Sequence, residues 1–168
     1  MNASSNVRFC PHCGTEVEFQ QHFGREHPAC PQCGRIFFPD PKVAAAVLII
    51  HSDQVLLVRR AHRPFRGRWT LPAGFIDAGE DPMRAAEREC LEETGLHVRA
   101  TKVFDVLSGR QHLRGADITI VYLAEMLNGE ILAGDDVDAA RFYPFNHLPP
   151  LAFKSTRQVI ERANKKID

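Results

Sequence analysis

A short acidic stretch, Gly74 to Leu96, concentrates side chains that could bind a metal ion. It carries seven acidic residues, although the chain of 168 residues has no net charge. On a helix that turns about 100° per residue, Glu89, Glu92 and Glu93 fall within an arc of about 100°, so their carboxylates share one face. Like charges that lie so close repel each other, and the arrangement therefore needs a compensating cation.

The residue types alone leave two interpretations of this acidic face open. A glutamate-rich helix is often a solvated surface held by salt bridges. Arg88 lies one turn before Glu92 and could neutralise only part of the cluster. Divalent cations such as Mg2+ or Mn2+ prefer oxygen ligands and would neutralise the remainder. The second interpretation predicts chemistry on phosphate groups.

Four of the five cysteines form a second group with metal-binding spacing. They occur as two C-x2-C pairs that are sixteen residues apart: Cys10, Cys13, Cys30 and Cys33. This spacing is typical of a structural zinc site with four thiolate ligands. The alternative is a pair of redox-active dithiols or disulfides. We expect a small zinc ribbon over residues 1–40 that depends on its metal to fold.

The acidic stretch resembles the signature of a known family. Its pattern is Gly74, five residues, Glu80, seven residues, and then Arg88-Glu89-Cys90-x-Glu92-Glu93-x-Gly95-Leu96. This order is similar to the Nudix box, G-x5-E-x7-R-E-U-x-E-E-x-G-U, at every charged and glycine position. Cys90 stands at an aliphatic position of the box, where cysteine can act as a small buried hydrophobic residue.

The resemblance implies a fold and a set of residue roles. The fold is α+β, a Nudix αβα sandwich with a mixed sheet over residues 41–168. Glu89, Glu92 and Glu93 would hold catalytic Mg2+ or Mn2+, helped by the backbone carbonyl of Ala73. Glu80 and Arg88 would pair and fix the loop onto the helix. Members of the family also recruit a general base from outside the box, and the residues considered for it are Glu125, Glu130, Asp135 and Asp136.

The resemblance also implies a class of substrate, because members hydrolyse a nucleoside diphosphate linked to another group. A zinc ribbon before the box resembles the NADH pyrophosphatase branch, but that branch's proline- and tryptophan-rich signature is missing after Leu96. The segments LPAGFIDAGE and LPPLAFKST resemble zinc-ribbon members described as ADP-ribose or FAD pyrophosphatases. We therefore expect ADP-ribose or FAD, cleaved to release AMP, then NADH, and then an oxidised nucleoside triphosphate.

A function of another class stays open as well. The chain could be a non-catalytic binding module, in which the ribbon recruits a partner and the Nudix scaffold serves recognition only. Loss of the box glutamates would favour this alternative, and all three are present.

Arginines interleaved with aromatic residues upstream of the box are candidates for substrate contact. Arginine side chains can bind phosphates, and an aromatic ring can stack on a base. The residues predicted to bind substrate are Arg59, Arg68, Trp69 and Arg110. The alternative is a solvated basic loop in which Trp69 packs into the core.

The rest of the chain must supply the elements that position these residues. We expect strands over residues 42–50, 54–61, 97–109, 117–127 and 140–145. A helix should begin after the N-cap Asp81 and stop at Thr94-Gly95, and a last helix should cover Phe153 to Lys166.

Composition limits the partners that the sequence predicts. Zero net charge argues against a protein that binds a nucleic-acid polymer. The longest apolar stretch, Val43 to Ile50, is too short to cross a bilayer, and the first residues lack the features of a secretory signal. We therefore expect a cytoplasmic protein that acts on a small nucleotide, without a membrane partner; a homodimer stays open.

Overall fold

The computed structural model describes residues 7–38, 40–108 and 115–167. The chain divides into two compact units, and the division falls after Pro41. The first unit contains the four paired cysteines, and the second contains the acidic stretch.

The first unit is built around one antiparallel hairpin. Strand β1 (Glu18–His22) pairs with β2 (Arg25–Ala29), and the turn between them uses Phe23 and Gly24 with positive φ angles of 52° and 77°. One cysteine pair precedes the hairpin and the other follows it. The two ends of a tight hairpin lie side by side, so this connection brings the two cysteine pairs together.

Two small sheets form the middle of the second unit. Their strands are β3 (Val43–Leu48), β4 (Ile50–His51), β5 (Gln54–Arg60), β6 (Trp69–Thr70), β7 (Ala73–Phe75), β8 (Leu96–Ser108), β9 (Ile118–Gly129) and β10 (Val137–Pro144). One sheet has the order β7-β3-β9-β8, and the other has β10-β5-β4 with β6 paired to β5. The first sheet is mixed, because β3 runs parallel to β9 and antiparallel to β7.

Two helices complete the second unit, α1 (Pro82–Thr94) and α2 (Lys154–Ile167). The Asp81 side chain caps α1 by accepting hydrogen bonds from the backbone N–H groups of Met83 and Arg84. Gly95 ends the helix in the left-handed conformation, with φ of 72°, and donates its N–H to the Leu91 carbonyl. Neither helix of the described ranges has the length and apolar character that crossing a bilayer requires.

The apolar residues of β3 show how the helices and sheets are layered. Alternate side chains of a strand point to opposite faces. Ala45 and Val47 therefore join one buried cluster with Ala85, Ala86 and Cys90 of α1. Leu48 joins the other buried cluster, which contains Val159, Ile160 and Ala163 of α2. The sheets lie between the two helices, and the expected α+β sandwich is confirmed.

Most of the expected elements are confirmed at their predicted positions. The cap at Asp81 and the stop at Gly95 bound α1 as the sequence indicates. The apolar segment 42–50 is one expected strand but two observed ones, because β3 ends at Leu48 and β4 joins the other sheet at Ile50. The chain thus passes from one sheet to the other through a short connection, and the two sheets can pack against each other.

Candidate functional site

Helix α1 presents the three box glutamates with three different degrees of burial. The side chain of Glu92 is 45% exposed and that of Glu89 is 12% exposed. Glu93 is only 4% exposed. The carboxylates therefore run from the protein surface into its interior along one side of the helix, where a partly buried charge interacts more strongly than in water.

Arg88 connects the loop before α1 to these carboxylates. Its Nε lies 2.8 Å from Glu80 Oε1 and its Nη2 lies 2.9 Å from Glu80 Oε2, so the pair is bidentate. Its Nη1 donates to Glu89 at 2.8 Å and to Glu92 at 3.1 Å, and Nη2 also donates to the Phe75 carbonyl. The hydrogen bonds from Arg88 lower the pKa of Glu80 to about 2. The loop is therefore tied to the helix by an ion pair that stays charged at neutral pH.

Gly74 gives Glu89 the space that it occupies. A Cβ atom built on Gly74 would lie 1.9 Å from Glu89 Cδ and 2.1 Å from each of its carboxylate oxygens. Any side chain at this position would have to displace the carboxylate. The first position of the box is glycine because the helix carboxylate packs directly against the backbone there.

Glu93 is a buried carboxyl group held by the backbone of β7. The Ala73 N–H donates to Glu93 Oε2 at 2.9 Å. Burial raises the pKa of Glu93 well above its ordinary value, and the negative charges of Asp136 and Glu89 add to the increase. Burial also raises the pKa of Glu89, against the opposing effect of Arg88. Both groups would become more acidic beside a bound cation.

The loop between β9 and β10 brings a third carboxylate to the helix face. Leu132 donates its N–H to the Thr94 carbonyl at 2.9 Å, and Gly134 donates to the Glu93 carbonyl at 3.2 Å. These bonds hold the loop against the end of α1. Carboxylate oxygens of Glu89, Glu92 and Asp135 lie within 4.8 Å of one another. Three hard oxygen ligands at this separation fit a divalent cation such as Mg2+ or Mn2+.

The sequence predicts Asp135 only as a candidate general base, because no motif links its position to the Nudix box. The usable signal is the neighbouring glycine. A Cβ on Gly134 would lie 2.6 Å from the Glu92 carbonyl oxygen, so only glycine allows the loop to approach the helix this closely. Glu125, another candidate base, instead pairs with Arg99 at 2.6 Å on the surface. Glu130 is exposed.

A cleft of about 520 Å³ lies beside the acidic cluster. One part of its lining is acidic and contains Glu89, Asp135 and Asp136. Another part contains Arg60 and Phe153. This volume lies within the range of small-molecule sites in proteins, and the two kinds of lining suit a ligand with a charged part and a flat apolar part.

Three of the residues predicted to bind substrate, Arg59, Arg68 and Trp69, are not among those that line this cleft. Arg59 pairs with Asp138 at 2.6 Å, and Arg68 lies 3.4 Å from the Leu151 carbonyl. Trp69 is 7% exposed and packs edge-on against Tyr143. Arg110 lies outside the described residues.

Strand geometry explains why Arg60 lines the cleft when Arg59 does not. Consecutive residues of β5 point to opposite faces of the sheet. Arg60 borders the cleft, whereas Arg59 lies against Asp138 of the neighbouring strand. Trp69 belongs to the buried cluster beneath α2, as the alternative interpretation of this residue expects.

In the first unit, the four paired cysteines form a compact group of thiols. Cys10 Sγ lies 3.6 Å from Cys33 Sγ, and Cys13 Sγ lies 3.5 Å from Cys30 Sγ. A disulfide requires about 2 Å. A tetrahedral zinc site with Zn–S bonds of about 2.3 Å places its sulfur atoms roughly 3.8 Å apart. Hydrogen bonding with Thr15 lowers the pKa of Cys13 to about 6, which favours the thiolate form of this side chain.

The fold and the site together define a class of protein. It is an α+β sandwich in which a capped helix and one loop hold carboxylates beside a nucleotide-sized cleft. The model of the NUDIX domain matches residues 40–163. The chain belongs to the NUDIX domain family, and the resemblance in the acidic stretch is confirmed.

Individual relatives agree with this assignment. The chain is 40% identical to an ADP-ribose pyrophosphatase of Methanocaldococcus jannaschii over 114 residues, which are 67% of this chain and 68% of that protein. It is 32% identical over 145 residues to the NAD-capped RNA hydrolase NudC of Pseudomonas aeruginosa. That match covers 86% of this chain but only 50% of the relative, so the chain spans about half of its length.

A solved structure is similar over nearly the whole chain. A NUDIX hydrolase from Nitrosomonas europaea superposes with a TM-score of 0.85 at 28% identity. The match covers 95% of this chain and 92% of the other. Its extent includes residues of both compact units.

Proposed function

We propose that this protein is a metal-dependent pyrophosphohydrolase. Its substrate is a nucleoside diphosphate linked to another group, with ADP-ribose or FAD first, and the product is AMP. The observation that carries this proposal is the group of Glu89, Glu92 and Asp135 carboxylates beside a cleft of about 520 Å³. The relative from Methanocaldococcus jannaschii, named as an ADP-ribose pyrophosphatase, supports the choice of substrate.

The proposed cation ligands are Glu89, Glu92 and Asp135, with Mg2+ or Mn2+ as the ion. The resemblance to the Nudix box assigns Glu93 and the Ala73 carbonyl to the metal as well. Ala73 and Glu93 are neighbours in the structure, because the Ala73 N–H donates to Glu93 Oε2. Bound divalent cations supply neutralisation of the diphosphate and activation of a water for attack on phosphorus.

The other residues of the site position these ligands. Glu80 and Arg88 hold the loop on α1, and Gly74 leaves room for the Glu89 carboxylate. Asp136 lines the cleft, and its charge adds to the increase that burial causes in the pKa of Glu93. One carboxylate of this wall would accept the proton of the attacking water.

In the first unit, we assign the four-cysteine cluster to structural zinc. The separations between the sulfur atoms support this assignment. A unit of this size has little apolar core, and the metal would supply most of its stability. A chain with five unpaired thiols suits a reducing compartment, and the proposed location is the cytoplasm.

A second candidate function is cleavage of an NAD-type dinucleotide. The Pseudomonas relative is named as a hydrolase of NAD-capped RNA, and its match extends over 86% of this chain. The predicted zinc ribbon before the box also favours NADH as a substrate. Both candidate substrates contain the same AMP unit joined through a diphosphate.

A substrate panel with released AMP as the readout tests the proposal. ADP-ribose, FAD, NADH, NAD-capped RNA and 8-oxo-dGTP are incubated with the enzyme and Mg2+. Hydrolysis of the capped RNA is followed through released nicotinamide mononucleotide, because its AMP unit stays joined to the RNA, and hydrolysis of 8-oxo-dGTP is followed through its own nucleotide product. Faster cleavage of ADP-ribose or FAD than of the others supports the first candidate, and preference for NADH or the capped RNA supports the second. Cleavage of none of them, with or without Mn2+, would support the non-catalytic alternative and end the proposal.

A further inference from the structure

The cleft has an aromatic and basic lining beside its acidic one. The acidic residues belong to the site already described. The lining also contains the aromatic ring of Phe153 together with Arg60, Arg63 and Pro64. The proposed reaction uses the carboxylates, so these four residues have no role in it so far.

The Phe153 ring is held in place by its neighbours. The ring of Phe65 meets it edge-on, with centroids 5.3 Å apart and an interplanar angle of 81°. The guanidinium of Arg60 lies 5.5 Å from the centre of the Phe153 ring, and Arg60 Nε donates to the Pro64 carbonyl at 3.0 Å. A ring fixed by such contacts loses little conformational freedom when a ligand binds.

The floor of the cleft has room for a flat group. Ala44 lies beside Thr119, and Ala46 lies beside Val121, on the neighbouring strands β3 and β9. All four residues line the cleft. Alanine side chains extend only a short distance from the sheet. They therefore leave space in which a planar ring can lie over the sheet.

Polar groups near the ring could orient a base. The hydroxyls of Thr70 and Thr156 lie 3.0 Å apart, are buried, and border the cleft. A hydroxyl can donate one hydrogen bond and accept two, so each can also interact with a ligand nitrogen. Within the described ranges, no carboxylate pairs with Arg63, whose charge is therefore free to meet an anionic ligand.

We propose that the part of the cleft lined by Phe153 binds the adenine ring of the AMP half of the substrate, and that Phe153 sets specificity by stacking on that ring. The inference rests on the proposed function, because it places one half of that substrate in the cleft. In ADP-ribose the other half is a sugar phosphate without an aromatic ring. An aromatic lining therefore suits only the adenine half of ADP-ribose.

Binding of AMP tests the proposal without any cleavage step. Calorimetry on the full chain compares AMP with ribose 5-phosphate, for the parent and for Phe153→Leu, which keeps an apolar side chain but removes the ring. Stacking on a base contributes about 1–3 kcal/mol, so we expect Phe153→Leu to weaken AMP binding about tenfold or more. Ribose 5-phosphate should bind both proteins equally.

Two variants and one direct observation complete the test. Phe153→Tyr keeps the ring and should restore AMP affinity. Phe19→Leu, at an exposed aromatic residue of the first unit, should change nothing. In the parent, NMR should show magnetisation transfer between the adenine protons of AMP and the Phe153 ring, which needs no variant.

Two results would overturn the assignment of Phe153. One is AMP affinity that is unchanged in Phe153→Leu, without transfer to the ring in the parent. The other is a loss of ribose 5-phosphate affinity in Phe153→Leu that is as large as the loss of AMP affinity. Failure of the proposed function would look different from failure of the Phe153 assignment. In that case AMP binding would still depend on the Phe153 ring, but no substrate would be cleaved.

Discussion

The Glu89 carboxylate fills the space that a side chain at Gly74 would need. A Cβ atom built on Gly74 would lie 1.9 Å from Glu89 Cδ. The backbone of the loop and a carboxylate of the helix are thus packed in direct contact. The loop is tied to the same helix by Arg88, which bonds Glu80, Glu89 and the Phe75 carbonyl. The box therefore acts as one rigid unit, in which each glycine and ion pair serves the position of a carboxylate.

Gly74→Ala should disturb the site without unfolding the protein. The new methyl group must push Glu89 away, and a displacement of about 1 Å at a catalytic group can cost roughly 100-fold in rate. We expect a loss of this size in AMP release, with a thermal midpoint close to that of the parent. Ala78→Ser, at an exposed position of the same loop, is the control and should keep full activity. Full activity in Gly74→Ala would contradict the contact.

Asp135→Asn should weaken cation binding. It removes one negative oxygen ligand, and even the loss of a residue that only supports a metal ligand typically costs 10- to 100-fold in affinity. The Mg2+ concentration for half-maximal activity should rise by about tenfold or more, on the same scale. Glu125→Gln, which alters a carboxylate paired with Arg99 on the surface, should leave this concentration unchanged. An unchanged Mg2+ dependence in Asp135→Asn would remove this residue from the ligand set.

The ion pair between Glu80 and Arg88 should make stability depend on acid pH. The pKa of Glu80 is about 2 in the folded protein and 4.5 when unperturbed. A lowered folded pKa stabilises the protein above the unfolded value, and this contribution disappears as pH falls toward the folded value. Glu80→Gln should therefore be less stable than the parent at neutral pH, and the difference should shrink between pH 4.5 and about 2.

Urea unfolding over a pH series measures this difference. Glu161→Gln, an exposed glutamate of α2, serves as the matched control and should show little difference at any pH. A difference between Glu80→Gln and the parent that stays constant down to the lowest pH would contradict the ion-pair explanation.

The five cysteines should react in two groups. Cys90 is buried, and burial raises its pKa to about 11, so a thiol reagent should reach it only after unfolding. The other four should be protected by zinc and become reactive when a strong chelator removes the metal. Titration with a chromogenic disulfide reagent should count none in the zinc-loaded protein, four after chelation and five in denaturant. Equal counts before and after chelation would argue against the zinc site.

Local sequence signals predict those parts of the structure that local chemistry determines. Asp81 and Gly95 bound α1 because a cap and a left-handed stop act within a few residues. The pairing of Glu80 with Arg88 is the one that the resemblance to the Nudix box implies. Asp135 joins the site through a loop that is distant in sequence, and no spacing announces it. Arg60 rather than Arg59 borders the cleft, a choice of strand face that depends on packing.

Release of AMP from ADP-ribose in Mg2+ by the parent and by Glu92→Gln is the most direct test of the central claim. This substitution keeps the size and exposure of the side chain and removes one charge from the metal-binding face. Because a catalytic cation contributes several kcal/mol and each 1.36 kcal/mol is tenfold in rate, we expect a loss of about 100-fold or more. Equal rates for the two proteins would contradict a hydrolase that depends on cations held by this face of α1.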